Sequence, residues 1–173
     1  MIKTAIIAAH GSEEIETLVP LDVLRRAGVD CKLVSVCDKE LTLSRGAKVT
    51  ADVLIRDYDF TAADCVILPG GMPGAKNVSE SAAAVDAIKS VEARGGLVAA
   101  ICAAPAVILA KHSVCADKKS TCYPAGDFIA ALGGRYTGEK VSSDGNLITA
   151  DGPLSSFEFA FKICERLGVK PAF

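Results

Sequence analysis

The sequence predicts an α/β fold: a doubly wound, mostly parallel sheet with helices on both faces. Two features of the pattern predict it. Short unbroken apolar runs of strand length, such as IKTAIIAA at 2–9 and LVAAI at 97–101, suit strands buried on both faces of a sheet. Segments with helical periodicity alternate with these runs along the chain, as helices crossing between parallel strands would. Composition agrees. The 173 residues are 50% hydrophobic and 23% charged, which is enough for one buried core. No repeat or low-complexity linker divides them, so residues 1–173 are expected to form a single domain.

Residues 2–9 read as the first strand. Ser12 is placed to cap a helix that Glu13, Glu14 and Glu16 open and that Gly28 stops after about Ala27. Residues 31–36 (CKLVSV) form the second strand, and 41–55 hold two or three short β pieces broken at Gly46. Residues 64–68 (DCVIL) are another buried strand, closed by Pro69-Gly70-Gly71. Helical periodicity covers 81–93. The strand at 97–101 runs straight into Cys102, and 103–111 is helical, with Pro105 tolerated in its first turn. A short strand at 119–122 and a short helix at 127–132 follow. Residues 141–143 and 147–150 flank Asp144-Gly145-Asn146, a hairpin signal. The last helix, 153–167, is amphipathic, with Phe157, Phe161 and Ile163 assigned to its sheet-facing side.

Several function classes are excluded. Net charge is −2, from 19 basic and 21 acidic residues with no basic run, so no nucleic-acid partner is indicated. No apolar stretch reaches the roughly 18–20 residues needed to cross a bilayer. The N-terminal apolar run is short and is followed at once by glutamates, which fits a helix start better than a cleavage region, so a cytoplasmic location is expected. There are 7 cysteines, none in a C-x-x-C spacing, and 2 histidines. Reduced thiols are expected, with no disulfide framework and no metal site.

In doubly wound sheets the ligand site lies beyond the carboxyl ends of the strands. That rule selects 10–16, 69–74 and 102–105. Cys102 sits between a buried strand and a helix with small residues on both sides, the shape of a nucleophile elbow. A helix N-terminus beside the sulfur lowers a thiol pKa, and the thiolate is the reactive form. The competing reading is a buried structural cysteine. His112 lies ten positions along the same helix, about 15 Å away, too far to act as its base. His10 ends the first strand, close to the strand ends, but a lone histidine is more often structural or solvated than catalytic. For Glu13 and Glu14 the helix dipole is reason enough. Glu16 differs, because it shares a helix face with Val19 and Pro20, which should pack on the sheet. An inward carboxyl needs a partner, and Cys102 is the one available. The glycines of LPGGMPG provide backbone N–H groups for an oxyanion, or else a tight turn.

Taken together, GSEEIETLVPLDVLRRAG, VILPGGMPGAKNVSES, GLVAAICAAPAVILAKH and GPLSSFEFAFKI resemble the DJ-one/ThiJ/PfpI superfamily, specifically its DJ-one branch. The resemblance implies a flavodoxin-like fold, a homodimer, and no metal or organic cofactor. It implies a reactive cysteine at Cys102 and a protonated glutamate at Glu16. Gly70, Gly71 and Ala103 fall where the family binds an oxyanion. Arg45 falls in its anion pocket, and Arg26 where the dimer mate reaches that pocket. Tyr123 stands near a common family histidine. A phenol does not titrate near neutrality, so a histidine relay is not expected. Ala103 replaces the histidine of the protease-like branch. Asp151 and Leu154 depart from the common R-G-P-G segment, which is expected to alter the pocket or the dimer seam. The activity implied is that of a glutathione-independent glyoxalase converting methylglyoxal to lactate, or of a deglycase acting on glycated adducts. The alternative is a redox sensor or chaperone whose Cys102 is oxidised to sulfinate without turnover.

Overall fold

A computed structural model describes residues 1–173. Its strands are β1 (Lys3–Ala8), β2 (Asp30–Ser35), β3 (Glu40–Thr42), β4 (Lys48–Thr50), β5 (Val53–Leu54), β6 (Cys65–Leu68), β7 (Leu97–Ile101), β8 (Val141–Asp144) and β9 (Leu147–Ala150). The α-helices are α1 (Glu14–Arg26), α2 (Gly74–Glu80), α3 (Ala82–Ala93), α4 (Gly126–Leu132) and α5 (Ser156–Leu167). Seven strands form one sheet in the order β5-β2-β1-β6-β7-β9-β8. All neighbours are parallel except β8 and β9, and β3 pairs with β4 as a separate hairpin. This is the predicted doubly wound architecture. No helix is long and apolar enough to cross a membrane.

Strand alternation divides the core into two layers. Ala5, Ile7, Val66, Leu68, Val98 and Ala100 pack on one face with Val78, Ile88 and Val91 of α2 and α3. Ile6, Ala8, Ile67, Ala99 and Ile101 pack on the other with Leu24 of α1 and Phe159 and Ile163 of α5. From β1 the chain winds outward through β2 to β5, then returns to place β6 on β1's opposite side. The reversal opens a crevice between β1 and β6 at their carboxyl ends, where a doubly wound sheet binds ligands.

Several local expectations are corrected. Ser12 does not cap α1: its hydroxyl accepts the Ala9 N–H at 3.1 Å, and the Glu13 side chain caps the helix by accepting the Glu16 N–H at 2.8 Å. The stretch 119–122 forms no strand, only an isolated bridge between Ser120 and Tyr136. The segment after Cys102 is helical as expected, but Pro105–Ala110 is wound as a π-type helix. Helix α2 was not foreseen, because its start at Pro73-Gly74 reads as a turn. The last helix begins at Ser156 after a 3₁₀ turn at Pro153–Ser155. Its buried aromatic is Phe159, whereas Phe157 and Phe161 are exposed, with their rings tilted against each other and centroids 6.2 Å apart.

Phe159 is fully buried between α5 and the sheet. Phe159→Ala is therefore expected to lower unfolding free energy by about 3–5 kcal/mol, read from urea denaturation. A loss below about 1 kcal/mol would contradict this packing.

Candidate active site

Cys102 follows β7 directly and adopts φ 64. A non-glycine residue in the left-handed region costs about 1–3 kcal/mol and persists only where its surroundings hold it. Here both backbone groups are tied: the Cys102 N–H donates to Ala150 O at 2.9 Å, and its carbonyl accepts the Tyr123 N–H at 2.9 Å. The side chain is half-buried, with the N–H groups of Gly71 and Ala103 beside the sulfur.

Glu16 lies in the first turn of α1 and is fully buried. Its Oε2 accepts the Gly70 N–H at 2.8 Å. Its Oε1 is buried without a hydrogen-bond partner, and the Cys102 thiol is the side chain that acts on the carboxyl from beside it. Glycine is required where these groups converge. A Cβ on Gly70 would stand 2.8 Å from both Cys102 Cβ and Glu16 Oε2. Gly71 has φ 82, and a Cβ there would stand 2.6 Å from the Glu13 nitrogen.

Burial pushes the Glu16 carboxyl up to about 7, against the opposing pull of Cys102 and the Gly70 N–H. Burial also pushes the Cys102 thiol up, to about 12, reinforced by the charge of an ionised Glu16 and opposed by the Gly71 and Ala103 N–H groups. The expected lowering of the thiol by the helix start is thus outweighed by desolvation while Glu16 is ionised. The two acids form one titrating unit. Above about 7 the pair holds one proton. Moving that proton from sulfur to carboxyl cancels the Glu16 charge and turns its O–H into a donor to the thiolate. The nucleophilic state is therefore one proton transfer away within the pair.

The pair opens into a cavity of about 410 Å³ whose lining includes Arg45, Met72, Tyr123 and Phe128. Gly71 and Ala103 line it too, so Cys102, Glu16, Gly70, Gly71, Ala103, Arg45 and Tyr123 are brought together. Arg26 is not. It sits at the end of α1, bonded to Asp22 at 2.7 Å with the Phe173 ring centroid 5.2 Å from its guanidinium carbon. Asp151 and Leu154 line a neighbouring hollow beyond Tyr123, not this cavity, and Leu154 is wholly exposed. His10 instead pairs with Asp38 at 3.2 Å, and His112 holds Ser79 at 3.0 Å.

Two features escaped the sequence reading. Cys37 is the one exposed thiol and so competes with Cys102 for reagents, while the other five cysteines are buried. Glu13 and Glu14 do more than meet the helix dipole: Glu13 caps α1 and lines the cavity, and Glu14 grips the turn that carries Arg45. A hollow of about 510 Å³ at the opposite end of the sheet is lined by Arg94 and Arg166 but by no cysteine.

The raised Glu16 carboxyl has a consequence for stability. Its folded value of about 7 exceeds the ordinary 4.5, so the folded state binds more protons than the unfolded between those values. Its contribution is fully present below 4.5 and is lost as pH rises through about 7. Relative to Glu16→Gln, the wild type is expected to lose about 2–3 kcal/mol between about pH 5 and about pH 8, measured by urea denaturation. Parallel pH profiles for the two proteins would contradict the raised value.

Comparison with known proteins gives a consistent picture. The pattern of the DJ-1/PfpI family matches residues 2–166. The chain is 40% identical over 169 residues to "Parkinson disease protein 7 homolog" of Danio rerio, covering 95% of this chain and 89% of that protein. It is 33% identical over 162 residues to "Glutathione-independent glyoxalase DJR-1.2" of Caenorhabditis elegans, covering 94% of this chain and 86% of the relative. The structure described as "Toxoplasma gondii DJ-1, oxidized" superposes with a TM-score of 0.93 at 39% identity, covering 96% of this chain and 91% of the other. With nearly its whole length and its fold accounted for in this way, the chain belongs to the DJ-1/PfpI family.

Proposed function

We propose that this protein is a cysteine-dependent enzyme acting on reactive 2-oxoaldehydes, converting methylglyoxal to lactate without glutathione. The observation that carries the reading is the buried Glu16 carboxyl, raised to about 7, beside Cys102 and two backbone donors. A thiol used only for packing needs neither a proton-exchanging neighbour nor an anion-binding cradle. The glyoxalase name of the nematode relative supports the same reading.

The steps balance within the substrate and one water. The Cys102 thiolate bonds to the aldehyde carbon, and the carbonyl π electrons move to oxygen. Gly71 and Ala103 N–H groups stabilise that oxyanion, which takes the proton from Glu16. The Glu16 carboxylate then removes the hydrogen of the former aldehyde carbon as a proton. It returns the proton to the neighbouring ketone carbon, while the hydroxyl proton passes to the ketone oxygen. The aldehyde carbon is now oxidised, the ketone carbon reduced, and the product is a lactoyl thioester. Water cleaves the carbon–sulfur bond, releasing lactate and restoring the thiol. Arg45 and Tyr123 border the substrate from the cavity wall, with Arg45 attracting the anionic intermediate and product.

The same nucleophile acting on glycated amines or thiols is the deglycase form of this proposal. The proposal also includes a single domain over residues 1–173, a homodimer in which Arg26 approaches the partner's cavity, and a cytoplasmic setting. A second reading, a redox sensor, is favoured by one observation: the Toxoplasma relative is described as oxidized. A sensor needs the thiolate and an anion cradle but no proton shuttle.

Lactate formation from methylglyoxal, measured without glutathione or added metal, separates the two. Activity is expected in the reduced wild type and to vanish in Cys102→Ser. Glu16→Gln should fold and lower kcat by roughly 10²–10⁴-fold, the contribution of a positioned acid–base group. Peroxide should abolish activity in step with oxygen addition at Cys102, since a sulfinate is not a nucleophile. Equal lactate rates in wild type and Cys102→Ser, with Cys102 still oxidising readily, would replace the enzyme by the sensor.

A further inference from the structure

The Arg45 side chain borders the cavity from the turn between β3 and β4, far in sequence from β7 and from most of α1. The turn is short and Gly46 within it has φ 92. Its own closure is the Leu43 N–H to Ala47 O bond at 2.8 Å and the Gly46 N–H to Leu43 O bond at 3.1 Å. Arg45 is exposed and its guanidinium forms no ion pair with any carboxylate. A long exposed side chain on a two-stranded hairpin, left to itself, samples many positions. Something must fix its backbone if the cation is to act at the thiol.

Glu14 meets this need. Its Oε2 accepts the Ser44 hydroxyl at 2.8 Å, and its Oε1 accepts the Arg45 N–H at 2.6 Å and the Ala47 N–H at 3.4 Å. Three donors from consecutive parts of one turn converge on one carboxylate. Hydrogen bonds to an ionised acceptor are about twice as strong as neutral ones. The Ser44 N–H also donates to Ser12 O at 2.9 Å, so the grip extends along the loop between β1 and α1. The partial burial that would raise the Glu14 carboxyl is outweighed by these hydrogen bonds, which hold it below 4.5 and keep it ionised. Glu14 belongs to the same first helical turn as Glu16. One turn of α1 therefore carries the proton-sharing acid on one side and the clamp for the cation on the other.

We propose that Glu14 is a positioning residue: its carboxylate clamps the Ser44–Arg45–Ala47 turn and thereby holds the Arg45 cation at the mouth of the Cys102 cavity, which makes the site selective for ligands that carry negative charge. This deepens the function proposed above and rests on its reading of the Cys102 cavity as the reactive site. It does not depend on methylglyoxal being the substrate.

The sign of the effect distinguishes a clamp from a bare charge. As a charge alone, Glu14 weakens the positive potential near Cys102, and neutralising it would favour anions. As a clamp, its loss frees the turn and disfavours them. Iodoacetate and iodoacetamide alkylate the same thiolate and differ in charge, so the ratio of their rates at Cys102 reports the local cation and cancels changes in thiol ionisation. The rates are read by mass spectrometry of the Cys102 peptide, which keeps Cys37 out of the measurement. The iodoacetate-to-iodoacetamide ratio is expected to fall at least about threefold in Glu14→Gln and by a similar amount in Arg45→Ala. It should fall no further when the two substitutions are combined, because both remove the same placed charge. Ser44→Ala, which loosens the clamp from the turn side, should lower the ratio in the same direction by less, and it serves if Glu14→Gln does not fold. An unchanged or increased ratio, or full additivity with Arg45→Ala, would overturn the proposal. These reagents need no turnover, so an inactive wild type would count against the glyoxalase reading and leave this test intact.

Discussion

The site depends on placing two acids where water cannot solvate both charges. Glu16 is fully buried and Cys102 half-buried, and the carboxyl beside the sulfur is raised to about 7 by that burial. An ionised carboxylate next to a thiolate in such a place is strongly disfavoured, so the pair keeps a proton over the neutral range. Proton exchange between carbon, oxygen and sulfur is the chemistry such a pair is suited to. The rest of the fold can be understood as what brings these two groups together and leaves room for a third.

Three loops from separate parts of the chain bring them together. The winding reversal between β1 and β6 opens the crevice, β7 delivers Cys102, and the first turn of α1 delivers Glu16. Gly70 is the contact point, with no room for a side chain between the sulfur-bearing residue and the carboxylate. The Glu13 N–H binds Gly70 O at 3.1 Å, and the Gly11 N–H binds Thr42 O at 2.9 Å, so the loop after β1 is tied to both neighbours. Strain at Cys102 is held by backbone bonds to Ala150 of β9 and to Tyr123 of the cavity wall. Stability in β9 and in the stretch around Tyr123 is thereby spent on the geometry of one thiol.

Much of this was legible in the sequence because it is local or periodic. The strand at 97–101 is bounded by Gly96 and Cys102 and is apolar throughout, and it forms with those limits. Glu16 could be singled out because Pro20, one turn on, had to be buried, and it is. What was not legible depends on contacts distant in the chain. Ser12 looked like a cap, but its hydroxyl is taken by Ala9, and only the loop's path shows this. Phe157 and Phe161 were spaced to share the sheet-facing side with Ile163, yet the helix turns Phe159 inward with Ile163 instead. Glu14 meets Ser44, Arg45 and Ala47 across some thirty residues, which no local pattern marks. The sign of the thiol shift was also out of reach, since helix dipole and desolvation oppose each other and only burial decides between them.

The central claim is that Glu16 keeps its proton where ordinary carboxyls have lost theirs. Infrared difference spectroscopy of wild type against Glu16→Gln at about pH 6 tests it most directly, because a protonated carboxyl and a carboxylate absorb in separate regions and ordinary glutamates are ionised there. A protonated-carboxyl band present in the wild type and missing from the variant is the predicted result, in line with a carboxyl raised to about 7. A difference spectrum containing only carboxylate bands would show Glu16 ionised like any surface acid, and the proton-sharing pair would not exist.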